Sequence, residues 1–243
     1  MYRIGMTTIG QSPRDDLVPD IQRAFSVPVE ILQCGTLDGL DAANIQRFGP
    51  DDREVGIVAR LQDGSSVLIS HAKIMPRMQA AVDEMIARGA EFVVILCGAD
   101  WSAIRCDRPV VNPGLLYPAI ITALARGRRL GIIKPSAGQV EQEQERYAKL
   151  GILATVVSAS PYTGDSRLAA AATAARYLRE QQVDLVWMTC VGMDEPMRVV
   201  VEEIVGCPVI LARTLLARVV DALLPSQSGV AAGGWTPSGT GPT

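Results

Sequence analysis

Apolar residues fall in short blocks separated by longer amphipathic stretches along most of the chain. Residues 2 to 9 read as a buried strand, and Gly10-Gln-Ser-Pro-Arg-Asp-Asp16 reads as the loop after it. Pro13 and Asp15 suit the entrance of a helix carrying Leu17, Ile21 and Phe25. Val29 to Leu32 predicts a short strand that ends at Cys34-Gly-Thr-Leu-Asp-Gly39, where two glycines mark a turn. Val55 to Leu61 and Ser66 to Ile69 flank Asp63-Gly64, a short-range hairpin signal. Met78, Val82, Met85 and Ile86 share one face of a helix from about Ala72 to Arg88, which Gly89 stops. Beyond Pro113 the pattern predicts a helix to Ala125, a strand at 130–133, a polar helix to Leu150 and a strand at 154–158. An Ala-rich helix capped by Asp165 or Ser166 follows, then a strand from Asp184, a helix at 194–205, an extended segment at 208–211 and a helix at 213–224. Such alternation implies parallel sheets built from crossover units, the α/β class.

The pattern is also written twice. Glu91-Phe-Val-Val-Ile-Leu-Cys97 and Asp184-Leu-Val-Trp-Met-Thr-Cys190 each run from an acid through an apolar block to a cysteine, with Gly98 and Gly192 close behind. Arg3-Ile-Gly-Met-Thr-Thr-Ile resembles Arg129-Leu-Gly-Ile-Ile-Lys-Pro, with Gln11 and Gln139 shortly after, and Pro109-Val-Val is echoed by Pro208-Val-Ile. Two pseudo-symmetric Rossmann-like lobes are therefore expected: residues 1–112 with 212–224 in the first, residues 113–211 in the second, and 225–243 as a disordered tail rich in Gly, Ser, Pro and Thr.

Composition narrows the chemistry. A chain of 243 residues with 48% hydrophobic and 20% charged residues can bury a substantial core. Its net charge of -3 gives no basis for binding nucleic acid, and no apolar run approaches a membrane span of roughly 18 residues. The opening residues lack a signal-peptide pattern, so the cytoplasm is the expected compartment, with a small-molecule partner and a homodimer as a base-rate expectation. The 5 cysteines are widely spaced, which fits reduced thiols, and the chain has 1 histidine, so neither zinc nor triad chemistry is expected. No nucleotide, flavin or metal motif occurs, and no cofactor is expected.

Ligands of open α/β sheets bind beyond the carboxyl ends of strands, where this reading puts Cys97 and Cys190. A thiolate on one side of a carbon acid and a thiol on the other would perform two-base racemisation. The loop after the first strand offers Thr8, Gln11, Ser12 and Arg14 as substrate-binding groups, the last as a fork for a carboxylate. The second-lobe counterpart offers Ser136 and Gln139. Each also has a structural reading as a turn or helix-cap residue. Cys34, Cys106 and Cys207 read as packing residues, His71 as a cap or surface group, and Asp15 and Asp16 as first-turn acids.

The segments Ile9-Gly-Gln-Ser-Pro-Arg-Asp-Asp16, Cys34-Gly-Thr-Leu-Asp-Gly-Leu40, Val94-Ile-Leu-Cys97, Pro135 with Gln139, and Leu215-Leu-Ala-Arg218 together resemble the AroM family over residues 2–224. That family in turn resembles the aspartate/glutamate racemase superfamily, which implies two α/β lobes with a catalytic thiol from each, at Cys97 and Cys190. The superfamily includes amino-acid and hydantoin racemases, a maleate isomerase and an arylmalonate decarboxylase. The resemblance implies a racemase or epimerase of a small carboxylate-bearing or cyclic amide substrate. Alternatives are a single-thiol isomerase or decarboxylase and a non-catalytic metabolite-binding protein. Where the racemases place Asn-Thr after the first cysteine and Thr after the second, this chain has Gly98-Ala99 and Val191-Gly192. Their backbone amides are candidates for holding the substrate, and Asp100 and Asp194 are candidates for selecting a cationic group.

Overall fold

Ile4 to Thr8 are buried without alternation because the first strand is flanked by strands and covered on both faces. The computed structural model describes residues 1–226. In chain order these form β1 (Tyr2–Thr8), α1 (Val18–Gln22), β2 (Val29–Gly35), α2 (Ala42–Gln46), β3 (Ile57–Arg60), β4 (Ser66–Ile69), α3 (His71–Ala87), β5 (Phe92–Ile95), β6 (Val110–Val111) and α4 (Pro113–Ala125). The chain continues with β7 (Leu130–Lys134), a 3-10 turn at Ala137–Gln139, α5 (Val140–Lys149), β8 (Ala154–Ser158), α6 (Ser166–Glu180), β9 (Leu185–Met188), α7 (Glu195–Val205), β10 (Val209–Leu211) and α8 (Ala212–Leu223). The expected tail from Pro225 lies, beyond Ser226, outside the described residues.

Two parallel sheets result, in the orders β2-β1-β5-β6 and β10-β9-β7-β8. They share one topology, since β1, β2, β5 and β6 correspond to β7, β8, β9 and β10. The fold is the α/β, two-lobed architecture that the periodicity implied. In each lobe strand order reverses between the first strand and the one before the cysteine, so the crevice of each sheet opens beside a thiol. Equivalent glycines let helices pack closely on the central strands. A Cβ on Gly5 would lie 2.7 Å from Met85 Cβ of α3, and one on Gly131 would lie 3.1 Å from Leu178 Cδ1 of α6.

One hydrophobic core runs through both lobes, joining Ile4 and Met6 of β1, Tyr117 and Ile121 of α4, Leu130 and Ile132 of β7, Trp187 of β9, and Leu216 and Val220 of α8. After β10, helix α8 packs on α1, where Arg213 pairs with Asp20 and Ser26 N–H donates to Asp221 at 2.5 Å.

Several elements differ from expectation. α1 stops at Gln22 because Ala24 and Phe25 bond to carbonyls three residues back, a tighter turn that ends before Pro28. β3 spans Ile57 to Arg60 rather than Val55 to Leu61, while β4 and the turn at Asp63-Gly64 fall where expected, with Asp63 accepting from Ser65 N–H at 2.8 Å. Helix α2, capped by Asp41, was not foreseen, and β2 continues through Cys34 to Gly35.

Candidate active site

Cys97 and Cys190 lie two residues past the ends of β5 and β9 in matching turns. Leu96 N–H donates to Thr7 C=O at 2.8 Å and Thr189 N–H to Ile133 C=O at 3.1 Å, which continues the ladder by one bond in each lobe. The chain then folds back so that the amide two residues on meets the sulfur: Ala99 N to Cys97 Sγ at 3.5 Å, Gly192 N to Cys190 Sγ at 3.4 Å. The turns abut across the lobes. A Cβ added to Gly98 would sit 3.7 Å from the Thr189 carbonyl oxygen and 3.7 Å from the Tyr117 ring.

Cys97 is 9% exposed and packs with Trp101. Burial pushes its thiol up to about 11; the Ala99 amide opposes that, charge on Cys190 adds to it, and the Trp101 indole and Lys134 lower it. Trp101 is 1% exposed, packs tilted against His71 with centroids 4.6 Å apart, and its Nε1 has no hydrogen-bond acceptor among the described residues. His71 is thus a packed ring at the start of α3, capped by Ser70, and its Nε2 is also unpartnered there. Tyr117 packs edge-on against Trp187 at 5.0 Å, and its hydroxyl donates to Ala212 C=O at 3.0 Å. Burial, then both thiols, raise the Tyr117 pKa, which places that ring beside the sulfur pair.

Cys190 is half-buried, with the Tyr162 hydroxyl 4.0 Å from its sulfur. Arg213 of α8 clamps this turn, donating to Val191 C=O at 3.0 Å and Gly192 C=O at 3.1 Å. On the first lobe the matching clamp is steric. Gly114 of α4 lies so close to the Ala99 carbonyl that a Cβ would fall 2.0 Å from its oxygen.

The loop after β1 is locked into its own lobe. Asp38 accepts from Ser12 N–H at 2.7 Å, Ser12 Oγ at 2.5 Å and Gly35 N–H at 2.7 Å, so the two segments around Ser12 and Gly35 are one interlocked unit. Thr8 Oγ1 accepts from Arg14 Nη1 at 3.2 Å, and Gln11 Oε1 accepts from Gln62 N–H at 2.9 Å. The Arg14 fork is filled by Asp16, at 2.8 and 2.9 Å, with the arginine 4% exposed. Asp16 is therefore an ion-pair partner rather than a first-turn acid of α1. In the second lobe the Ser136 hydroxyl makes no cap bond to the turn it opens, whereas Gln139 Nε2 reaches Gly56 C=O at 3.2 Å and its buried Oε1 has no partner among the described residues. Asp100 holds Ser102, and Asp194 caps α7 and pairs with Arg167 at 3.1 Å.

The outlying cysteines stand apart. Cys34 donates to Glu84 at 3.5 Å, and burial together with that carboxylate raises it to about 12. Cys106 accepts from Arg108 N–H at 3.4 Å. Sequence reasoning missed Trp101, Tyr117, Tyr162, Arg213 and Asp38. Asp38 stood inside a quoted motif, but the other four owe their positions to contacts between distant segments. A cavity of about 590 Å³ lies between α2 and the β3–β4 hairpin, and neither Cys97 nor Cys190 lines it.

Two parallel lobes with thiol-bearing turns opposed across their junction define a protein of the aspartate/glutamate racemase fold. Similar solved structures are the aspartate racemase of Picrophilus torridus (11% identity, TM-score 0.60, 92% of this chain and 94% of that one) and the allantoin racemase of Pseudomonas fluorescens (16%, 0.54, 91% and 90%). An arylmalonate decarboxylase is similar as well (13%, 0.57, 91% and 92%). The chain belongs to the AroM protein family, whose profile matches residues 4–224. A sequence search of curated proteins finds no match.

Proposed function

We propose that this protein is a cofactor-independent racemase or epimerase of a small carbon acid, using Cys97 and Cys190 as proton carriers on opposite faces. The matched turns carry this reading: both sulfurs accept the amide two residues on, and the turns touch through Gly98 and Thr189. One sulfur, as thiolate, takes the α-proton. The C–H electron pair delocalises into the adjacent carbonyl, and the opposite thiol returns a proton to the other face, inverting the centre. Cys97, held protonated by burial, enters as the acid, which leaves Cys190 as acceptor in that direction. The filled fork of Arg14 favours a neutral cyclic amide, such as a hydantoin-type ring, over a free amino acid. Backbone amides near Gly98 and Gly192 and the Ser136 hydroxyl are the groups proposed to hold it.

The test is α-proton exchange in heavy water with allantoin, substituted hydantoins and amino acids, read by NMR and optical rotation. Exchange with loss of rotation supports the proposal; binding without exchange for every compound leaves a metabolite-binding protein. A second reading draws on the unequal burial of the sulfurs. A single thiol could protonate the carbanion left when a substrate carboxylate departs as CO2, and CO2 release without exchange at the product centre would select it.

A further inference from the structure

Tyr162 stands over the second thiol but is held by the opposite lobe. It follows β8, in the loop before α6, and its backbone N–H is fixed by Ser160 Oγ at 3.2 Å. Its hydroxyl lies directly above Gly192: a Cβ there would fall 2.2 Å from the phenolic oxygen. The same hydroxyl is 4.0 Å from Cys190 Sγ. From the first lobe, Arg60 of β3 lays its guanidinium 5.2 Å from the ring centroid, and the positive charge of Arg14 opposes the rise that burial imposes on the phenol. Arg14 is fixed for this by Asp16 and Thr8. Among the described residues the one side-chain partner within hydrogen-bond reach of the phenolic hydroxyl is the Cys190 sulfur.

We infer that Tyr162 is a positioning residue for Cys190, pointing its hydroxyl proton at the sulfur and stabilising negative charge there, with Arg60 of the other lobe holding its ring. Among the described residues no hydroxyl bonds to Cys97, and the side-chain donor that lowers its thiol is the Trp101 indole. The second lobe therefore supplies a hydroxyl to its own thiol, with the first lobe packed on the ring that carries it. Gly192 follows as a requirement of the device, because any side chain there would displace the hydroxyl.

The inference rests on Cys190 being a proton carrier, but its test reads the sulfur itself and needs no substrate. Full-length protein and its Tyr162→Phe and Gly192→Ala variants would be alkylated with iodoacetamide at pH 8, and labelling of Cys190 and Cys97 followed by peptide mass spectrometry. Phenylalanine keeps the ring over Gly192 and under Arg60, so the variant isolates the hydroxyl. Because the thiolate is the reacting form, Cys190 labelling should slow about fivefold in both variants while Cys97 labelling changes less than about twofold. Thermal unfolding identifies any variant that fails to fold, and either folded variant suffices. Unchanged or faster labelling of Cys190 in a folded variant overturns the proposal, as does an equal slowing at both cysteines. α-Proton exchange is a separate measurement, so failure of the racemase reading would be recognised independently.

Discussion

The two cysteine turns share a backbone and differ in almost everything around it. Each follows a strand, each sulfur accepts an amide at about the same distance, and each turn is clamped by the helix that begins the next layer. Yet Cys97 is sealed against Trp101, whereas Cys190 is half-buried beside a tyrosine held from the other lobe. Duplication thus accounts for where the sulfurs stand, and the unshared side chains account for how they differ. A symmetric backbone with asymmetric surroundings suits a reaction in which one group starts as acid and the other as base.

The harshest way to break this comparison is to remove one sulfur at a time. If both carry protons, Cys97→Ser and Cys190→Ser each lose three to four orders of magnitude in racemisation, about 4–5 kcal/mol, and the double variant loses little more. Exchange without racemisation in one single variant would assign the surviving thiol to one face. A full racemisation rate in either variant would remove that cysteine from the mechanism.

The loops after β1 and β7 offer a second contrast. Gly10 lies under the hairpin, where a Cβ would meet the Arg60 carbonyl oxygen at 2.0 Å, whereas a Cβ on Gly138 would meet nothing nearer than Ser136 Oγ at 3.9 Å. Gly10→Ala should cost about 3–4 kcal/mol in urea unfolding, because the obstacle is backbone and cannot rotate away. Gly138→Ala should cost less than about 0.5 kcal/mol. Equal effects would mean that the hairpin is not what distinguishes the loops.

What could be read in advance follows the range of the interactions. The thiol turns were visible because strand, acid and cysteine recur at fixed local spacing. Even the acids have matching backbone roles: Glu91 and Asp184 both donate their N–H groups to an arginine carbonyl, of Arg3 at 2.9 Å and of Arg129 at 2.8 Å. The occupancy of the site was not visible. Arg14 reads as a free carboxylate fork until the loop bends and Asp16 fills it. Arg213 reaches the Cys190 turn only after α8 has folded back, and Tyr162 sits in a Ser-Pro-Tyr-Thr-Gly stretch whose composition signals a turn and nothing more.

The burial of Cys97 predicts a dependence on pH. Its thiol is raised from 9.0 to about 11, so between these values the folded chain retains a proton that the unfolded chain has lost. That contribution to stability is fully present below pH 9 and is lost as pH rises through about 11, amounting to about 3 kcal/mol. The stability gap between wild type and Cys97→Ala in urea should therefore narrow by that order between pH 8 and 11. A gap that stays constant would show that Cys97 is less enclosed than its 9% exposure implies.

A smaller effect than that of burial isolates what is particular to the first turn. Trp101→Phe keeps a ring against His71 but deletes the indole N–H, a buried donor without an acceptor among the described residues. Loss of ring volume destabilises, but removal of an unpaired buried donor offsets part of that cost, so net stability should fall by only about 1 kcal/mol. The N–H lies outside hydrogen-bond geometry to the sulfur but still lowers the Cys97 thiol from its elevated value, so its removal should slow alkylation of Cys97 about threefold and leave Cys190 unchanged. The locus of the effect matters more than its size. If Trp101→Phe altered both sulfurs equally, the thiols would share one electrostatic environment, and the asymmetry that separates acid from base would have to come from the substrate instead of the fold.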